Sequence, residues 1–258
     1  MERLASERVE MKTPATGRFK YLCGDNGTQD KLQLGSGPRS PSGWLNVDGS
    51  WSARLARKPI MRDLIASLHL LPRNVVETPW SPDIVVHDLR KPLPFQSARF
   101  TAVYASHLLE HLYLAEATQL LRECNRVLRP GGVLRVVVPD LRSIVMEYLA
   151  ATEPGGGANG LANNADRMNE RLLFRPPVPP NGNVVYRIYS ALKDFHLHKW
   201  MYDAESLISH LQRAGFVEVK QMDFRVSRIP GVDAVEEAAR VLDGAGICVE
   251  GLKLQAPF

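Results

Sequence analysis

From Lys31 onward the sequence predicts an α/β fold on a mainly parallel sheet, and three observations carry that prediction. Short β-rich runs alternate with helical patterns, the order that βαβ units impose. A glycine turn, Gly35-Ser36-Gly37, follows the first run directly. A strongly amphipathic helix stops at Arg129-Pro130-Gly131-Gly132 and feeds at once into Val133-Leu134-Arg135-Val136-Val137-Val138.

In chain order the candidate strands are 31–34, 44–47, 84–86, 102–105, 134–138, 216–222 and 247–254. Between the second and third, Met61, Leu64, Ile65, Leu68 and Leu71 recur at helical spacing, and Pro59 breaks or starts that helix. The clearest helix covers 115–128: Ala117, Leu120, Leu121, Cys124, Val127 and Leu128 make one apolar face, with Glu116, Arg122, Glu123 and Arg126 around it. A further helix starts at Asp203 as N-cap and stops at Gly215, with Leu207, Ile208, Leu211 and Ala214 on its face. Residues 1–30 read as a variable lead-in and 31–258 as a single domain. The rhythm breaks at about 141–197, where Gly155-Gly156-Gly157 and Pro176-Pro177-Val178-Pro179-Pro180 mark a lid-like insertion.

The net charge of +4 is spread along the chain with no basic run and argues neither for nor against an anionic partner; no nucleic-acid partner is expected. The first twenty residues lack an apolar stretch, and no window approaches a bilayer span. Cys23, Cys124 and Cys248 share no disulfide-like or metal-like spacing, which fits a cytoplasmic protein with reduced thiols.

Glycines just after a strand let backbone N–H groups approach a ligand closely. Alone, Gly35-Ser36-Gly37 decides little, because such turns are common. Asp48 ends the second strand, Asp88 the third and Ser106 the fourth, all at the edge where open α/β sheets bind ligands. A carboxylate at Asp48 suits the two hydroxyls of a ribose; taken singly, Asp48 and Asp88 are equally turn-formers or caps.

The runs Leu32-Gln33-Leu34-Gly35-Ser36-Gly37, Gly43-Trp44-Leu45-Asn46-Val47-Asp48 and Asp88-Leu89-Arg90-Lys91-Pro92-Leu93-Pro94-Phe95 resemble class I methyltransferases of the "methyltransferase domain 11" type. So do Ala105-Ser106-His107-Leu108-Leu109-Glu110-His111-Leu112 and the stretch from Leu121 through Leu128-Arg129-Pro130-Gly131-Gly132. The resemblance covers about 31–141 and resumes faintly over 198–216. It implies a Rossmann-like seven-stranded sheet, mostly parallel with the last strand antiparallel, helices on both faces, and S-adenosyl-L-methionine as cofactor. It places Gly35 and Gly37 at the methionine moiety, Asp48 at the ribose, Asp88 at the adenine edge and Ser106 and His107 near the sulfonium, with Leu34, Ser36 and Leu89 also among the cofactor-binding residues. One departure is plain: only nine residues separate Gly35 from Leu45, where the family carries a helix and parallel crossovers usually need a dozen or more. A dinucleotide reading fares worse, since Ser40 replaces the third glycine of Gly-x-Gly-x-x-Gly.

A sulfonium methyl already has a good leaving group, so such an enzyme mainly aligns nucleophile, carbon and sulfur. A hydroxyl acceptor also wants a base, for which His107, His111, His196 and His198 are the candidates, with His111, His196 and His198 the catalytic choices. His107-Leu108-Leu109-Glu110-His111 matches a zinc-peptidase pattern, but the surrounding motif argues against one and no metal is expected. The variants are a divalent ion at Glu110 and His111, after a similar pair in a related quinone methyltransferase group, or a brace for the following helix. Phe174, Tyr186, Tyr189 and Phe195 in the insertion, followed by Trp200 and Tyr202, suit a planar acceptor or a small satellite core. The expected activity is methyl transfer to oxygen or nitrogen of a small molecule such as a sugar, secondary metabolite or lipid precursor. The alternatives are a non-catalytic S-adenosylmethionine-binding subunit, a nucleic-acid or protein methyltransferase, and a proline-rich interaction module.

Overall fold

The computed structural model describes residues 29–70, 77–152, 164–173 and 197–255. Cys23, His196, the proline run and the aromatics Phe174, Tyr186, Tyr189 and Phe195 lie outside these described residues. Seven strands form one sheet: β1 (Lys31–Leu34), β2 (Trp44–Asp48), β3 (Val85–Val86), β4 (Phe100–Ser106), β5 (Leu128–Val138), β6 (Phe216–Met222) and β7 (Ile247–Lys253). The helices are α1 (Trp51–Ala56), α2 (Pro59–Ser67), α3 (Leu114–Val127), α4 (Leu141–Thr152), α5 (Asn164–Leu172) and α6 (Ala204–Arg213). Strand order is β3-β2-β1-β4-β5-β7-β6, and only β7 runs against its neighbours. This is the Rossmann-like, mostly parallel sheet with an antiparallel last strand. No described helix is long and apolar enough to cross a membrane.

The first crossover is a bare loop over 35–43. β1 and β2 pair in parallel from Lys31↔Trp44 to Leu34↔Val47, so the loop must return the chain by one short strand length. Nine extended residues reach ~30 Å, well beyond the ~11 Å return plus one strand spacing. A helix is therefore dispensable here, and the face it would cover is left for another segment.

The sheet's two faces show what takes over. Leu32, Leu34, Val103, Ala105, Leu134 and Val136 point to one side and pack under α3 and α6, through Leu120, Leu121, Cys124, Leu207 and Leu211. On the other side Trp44, Ala102, Tyr104, Val137 and Cys248 meet Ile229, Val232 and Val235, from the connection between β6 and β7. In that connection the Pro230 carbonyl also accepts from Lys31 Nζ at 2.8 Å, and Glu237 pairs with Arg39 of the first crossover.

One buried charge cluster fastens this cover. Arg135 on β5 is fully buried, and all five of its N–H groups are used. Nε and Nη2 donate to the Glu236 carboxylate at 2.8 and 3.0 Å, while Nη1 donates to Glu250 at 3.0 Å. The remaining two reach the carbonyls of Val226 and Asp223, each at 2.9 Å. Glu250 also accepts from the backbone N–H of Arg228, so two carboxylates share one guanidinium and the loop's own amides.

Local signals explain the helices. Pro59 occupies the first turn of α2, the position where its missing N–H costs nothing. The apolar residues of α2 are half-buried or exposed, so its periodicity is real although its face is uncovered among the described residues. α3 buries the predicted stripe from Ala117 to Val127; Leu128 already belongs to β5. The turn Arg129-Pro130-Gly131-Gly132 bulges between the pairs Phe100↔Leu128 and Ala102↔Val133. Gly131 has φ of +76°, and a Cβ on Gly132 would lie 2.9 Å from the Arg129 carbonyl, so both glycines are required. Asp203 caps α6 by accepting from Ser206 N at 2.8 Å, and Gly215 ends it with φ of +92°.

Candidate functional site

The ends of β1, β2 and β4 and the chain just beyond β3 converge on one edge of the sheet. Leu34 is buried at the head of β1, and Gly35 and Gly37 follow with φ of +67° and +64°, the left-handed region other residues avoid. A Cβ on Gly35 would touch Leu108 at 3.5 Å, whereas one on Gly37 would enter open space. The loop is anchored by β2: Gly35 N donates to the Val47 carbonyl at 2.9 Å.

Asp48 does more than end a strand. Its Oδ2 accepts from Gly37 N at 2.9 Å and its Oδ1 from Ser50 N at 2.8 Å. The carboxylate is 7% exposed, so it holds the glycine loop and the start of α1 together from within. One lone pair on each oxygen remains for a ligand's hydroxyls. The sequence motif marked Asp48 but gave no sign of this bracing role.

Asp88 lies two residues beyond β3, against Gly49, whose Cβ would meet the His87 carbonyl at 2.4 Å. Its carboxylate accepts from Arg90 Nε and Nη2 at 2.9 and 2.8 Å, and that hydrogen-bonded guanidinium lowers its pKa to about 2. A depressed acid contributes stability that is full above its ordinary range near 4 and fades as the pH falls toward 2. Arg90→Ala is expected to return the Asp88 titration toward pH 4, read by carboxyl-carbon NMR; an unmoved titration would contradict the pairing. Leu89 is 4% exposed and packs into the core, leaving only its backbone for a ligand.

Ser106 ends β4 and is buried. His107 follows with φ of +49°, and its Nε2 lies 3.0 Å from the carbonyl of Arg240. A carbonyl only accepts, so Nε2 carries the hydrogen and Nδ1 keeps its lone pair, 3.4 Å from Glu110 Oε1. Burial lowers the His107 pKa, favouring that neutral form. The β6–β7 connection thus reaches the site itself, since Arg240 also donates to the Ser106 carbonyl.

A 3-10 turn, Leu109–His111, then carries Glu110 and His111. Glu110 is fully buried, neither oxygen has a hydrogen-bond partner, and burial pushes its pKa up to about 8. Residues 197–200 strap across this turn: Lys199 N donates to the Glu110 carbonyl at 2.7 Å and Lys199 Nζ to the His111 carbonyl at 3.0 Å. His111 Nδ1 sits 3.3 Å from the Leu197 carbonyl, and its ring lies 5.1 Å from that of His198. His198 is 6% exposed, its Nδ1 has no partner, and burial lowers its pKa. The strap ends at Tyr202, which bridges to Asp140 at the end of β5.

His107, His111 and His198 are therefore brought together around Glu110, while His196 lies outside the described residues. The brace role for Glu110 and His111 needs correction. The following helix is capped at Tyr113, whose N–H donates to Glu116 at 2.9 Å, and neither residue caps it. Sequence reasoning missed Arg240 and the partnerless state of the Glu110 carboxyl; a charged residue between two leucines and a histidine was the only visible signal.

A glycine loop after β1, an acid ending β2 and an acid beyond β3 thus share the sheet edge at which open α/β folds bind ligands. Residues 32–136 match the family described as "Methyltransferase domain". Comparison with curated proteins gives no match. Among solved structures, a Haloferax volcanii complex of the Trm112 methyltransferase activator with a methyltransferase is 14% identical, TM-score 0.43, covering 88% of this chain and 84% of that one. A SAM-dependent methyltransferase from Thermotoga maritima is 16% identical, TM-score 0.41, covering 86% and 81%. PigF with SAH is 11% identical, TM-score 0.40, covering 90% of this chain and 52% of its own length.

Proposed function

We propose that the protein transfers a methyl group from S-adenosylmethionine to an oxygen or nitrogen of a small molecule. The observation that carries this reading is the loop at Gly35 and Gly37, held in a left-handed conformation by the buried Asp48 carboxylate. The residues present suit the cofactor: the loop offers close backbone approach, Asp48 keeps acceptor capacity for ribose hydroxyls, and Asp88 and the Leu89 backbone face the adenine side. Bound there, S-adenosylmethionine supplies an electrophilic methyl on a sulfonium, a cation that neutral imidazoles do not repel.

The acceptor side is the group around Glu110. The acceptor's oxygen or nitrogen forms its bond to the methyl carbon as the carbon–sulfur bond breaks, and one proton leaves the acceptor. A neutral imidazole takes that proton; His107, His111 and His198 are the described candidates, and His196 is the further candidate that the sequence names.

Replacing His107, His111, His196 and His198 singly by Ala is expected to lower turnover by about 10²–10⁴-fold for the residue that acts as base. Labelled methyl transfer into fractionated small-molecule extracts reads turnover, and calorimetry with S-adenosylhomocysteine reads cofactor affinity, which should stay within a few-fold. Unchanged turnover in all four variants would remove the histidine base. Cofactor binding with no transfer to any fraction would favour a non-catalytic cofactor-binding subunit.

A further inference from the structure

Burying a carboxyl without a partner is costly, and proteins rarely tolerate it unless something else occupies the gap. Glu110 is fully buried with both oxygens lacking a hydrogen-bond partner, and His198 Nδ1, also buried, lacks one too. These orphaned atoms belong to one cluster, in which donor atoms of Glu110, His111 and His198 all lie within 4.8 Å of one another. The imidazoles are oriented as ligands. His111 Nδ1–H faces the Leu197 carbonyl, so its Nε2, 3.9 Å from Glu110 Oε1, presents a lone pair. A ligating histidine almost always gives its far N–H to a carbonyl or carboxylate in this manner. His107 directs a second lone pair at the same oxygen, with its own far nitrogen tied to the Arg240 carbonyl. The partnerless Glu110 carboxyl and His198 Nδ1 thus share one buried space with the ring nitrogens of His111 and His107.

We infer that Glu110, His111 and His198 form a binding site for a divalent transition-metal cation of the zinc type. Two imidazoles and one carboxylate are the protein ligands of open, catalytic zinc sites. Imidazole donors select zinc, iron, cobalt or nickel, whereas magnesium prefers oxygen. The ligands come from two places: the turn after β4 supplies Glu110 and His111, and the strap at 197–200 supplies His198. The strap is fixed on the turn by hydrogen bonds from the Lys199 backbone N–H and ammonium to the turn's carbonyls, so the two ligand sources are already held together. A cation bound there would act as a Lewis acid, lowering the pKa of a coordinated oxygen. With His111 and His198 engaged, His107 is the described imidazole left to take the acceptor's proton. The inference goes beyond the methyl-transfer reading and does not depend on it.

The test is calorimetry of the full-length, metal-stripped protein with Zn²⁺ and with Mg²⁺, together with the visible spectrum of the Co²⁺-loaded chain. One Zn²⁺ per chain is expected, with Mg²⁺ bound at least about a hundredfold more weakly. His111→Ala, His198→Ala and the isosteric Glu110→Gln should each weaken Zn²⁺ at least about tenfold, and His69→Ala should not. Co²⁺ should give the d–d absorption of a four- or five-coordinate site, lost in His198→Ala. Sub-stoichiometric Zn²⁺, or affinity unchanged in all three ligand variants, would overturn the site and leave Glu110 a buried neutral carboxyl. S-adenosylhomocysteine binding by the same samples reports folding. It also separates the two readings: cofactor binding without Zn²⁺ sinks only the metal site, and Zn²⁺ without cofactor sinks only the methyltransferase.

Discussion

Arg135→Met is expected to destabilise the fold by about 3–5 kcal/mol, the range for breaking a buried ion pair by removing one partner. Glu236 and Glu250 would then be two carboxylates at full burial, and the carbonyls of Asp223 and Val226 would lose their donors. The damage should centre on the β6–β7 connection, which those contacts fasten over Trp44 and Tyr104. Replacing the whole cluster by apolar residues, Arg135→Met with Glu236→Leu and Glu250→Leu, should recover part of the loss. Recovery stays incomplete because the backbone N–H groups of Arg225 and Arg228 still lose their carboxylate acceptors. Urea denaturation reads both results from the midpoint at constant slope. A single variant within 1 kcal/mol of the wild type would contradict the arrangement.

Asp48→Ala should weaken S-adenosylhomocysteine about 10- to 100-fold. A hydrogen bond to a charged group is worth about 1.5–3 kcal/mol, and each 1.4 kcal/mol is a factor of ten. The side chain fixes the N–H of Gly37 and of Ser50, so its loss frees the glycine loop before any ligand contact is considered. Asp48→Asn keeps one acceptor oxygen and should lie between Ala and wild type. Equal affinity for all three proteins would remove Asp48 from the site.

Much of this edge was legible in the chain. Strand starts and stops follow local chemistry: apolar runs for β1, β2 and β5, and Gly131-Gly132 where backbone crowding excludes a side chain. Pro59, Asp203 and Gly215 mark helix ends by rules that need only neighbouring residues. The short link from Gly37 to Trp44 announced that a helix was missing, but not what replaced it. The replacement sits almost two hundred residues away, as the hydrogen bond from Lys31 to Pro230 shows, and its 3-10 turns carry weak periodicity. Arg135 within a valine run and Glu250 within Ile-Cys-Val-Glu-Gly-Leu-Lys were visible as charges in core strands. Such charges imply buried partners without identifying them. The candidate site divides the same way. Motif spacing located Gly35, Asp48, Asp88 and His107, whereas the convergence of Glu110 with His111 and His198 depends on the strap crossing the turn after β4.

Calorimetry of the intact chain with S-adenosylhomocysteine tests the central claim most directly. One molecule should bind per chain, with affinity reduced in Asp48→Ala and Asp88→Ala. No binding by the intact chain would contradict the assignment of this sheet edge as a methyl-donor site.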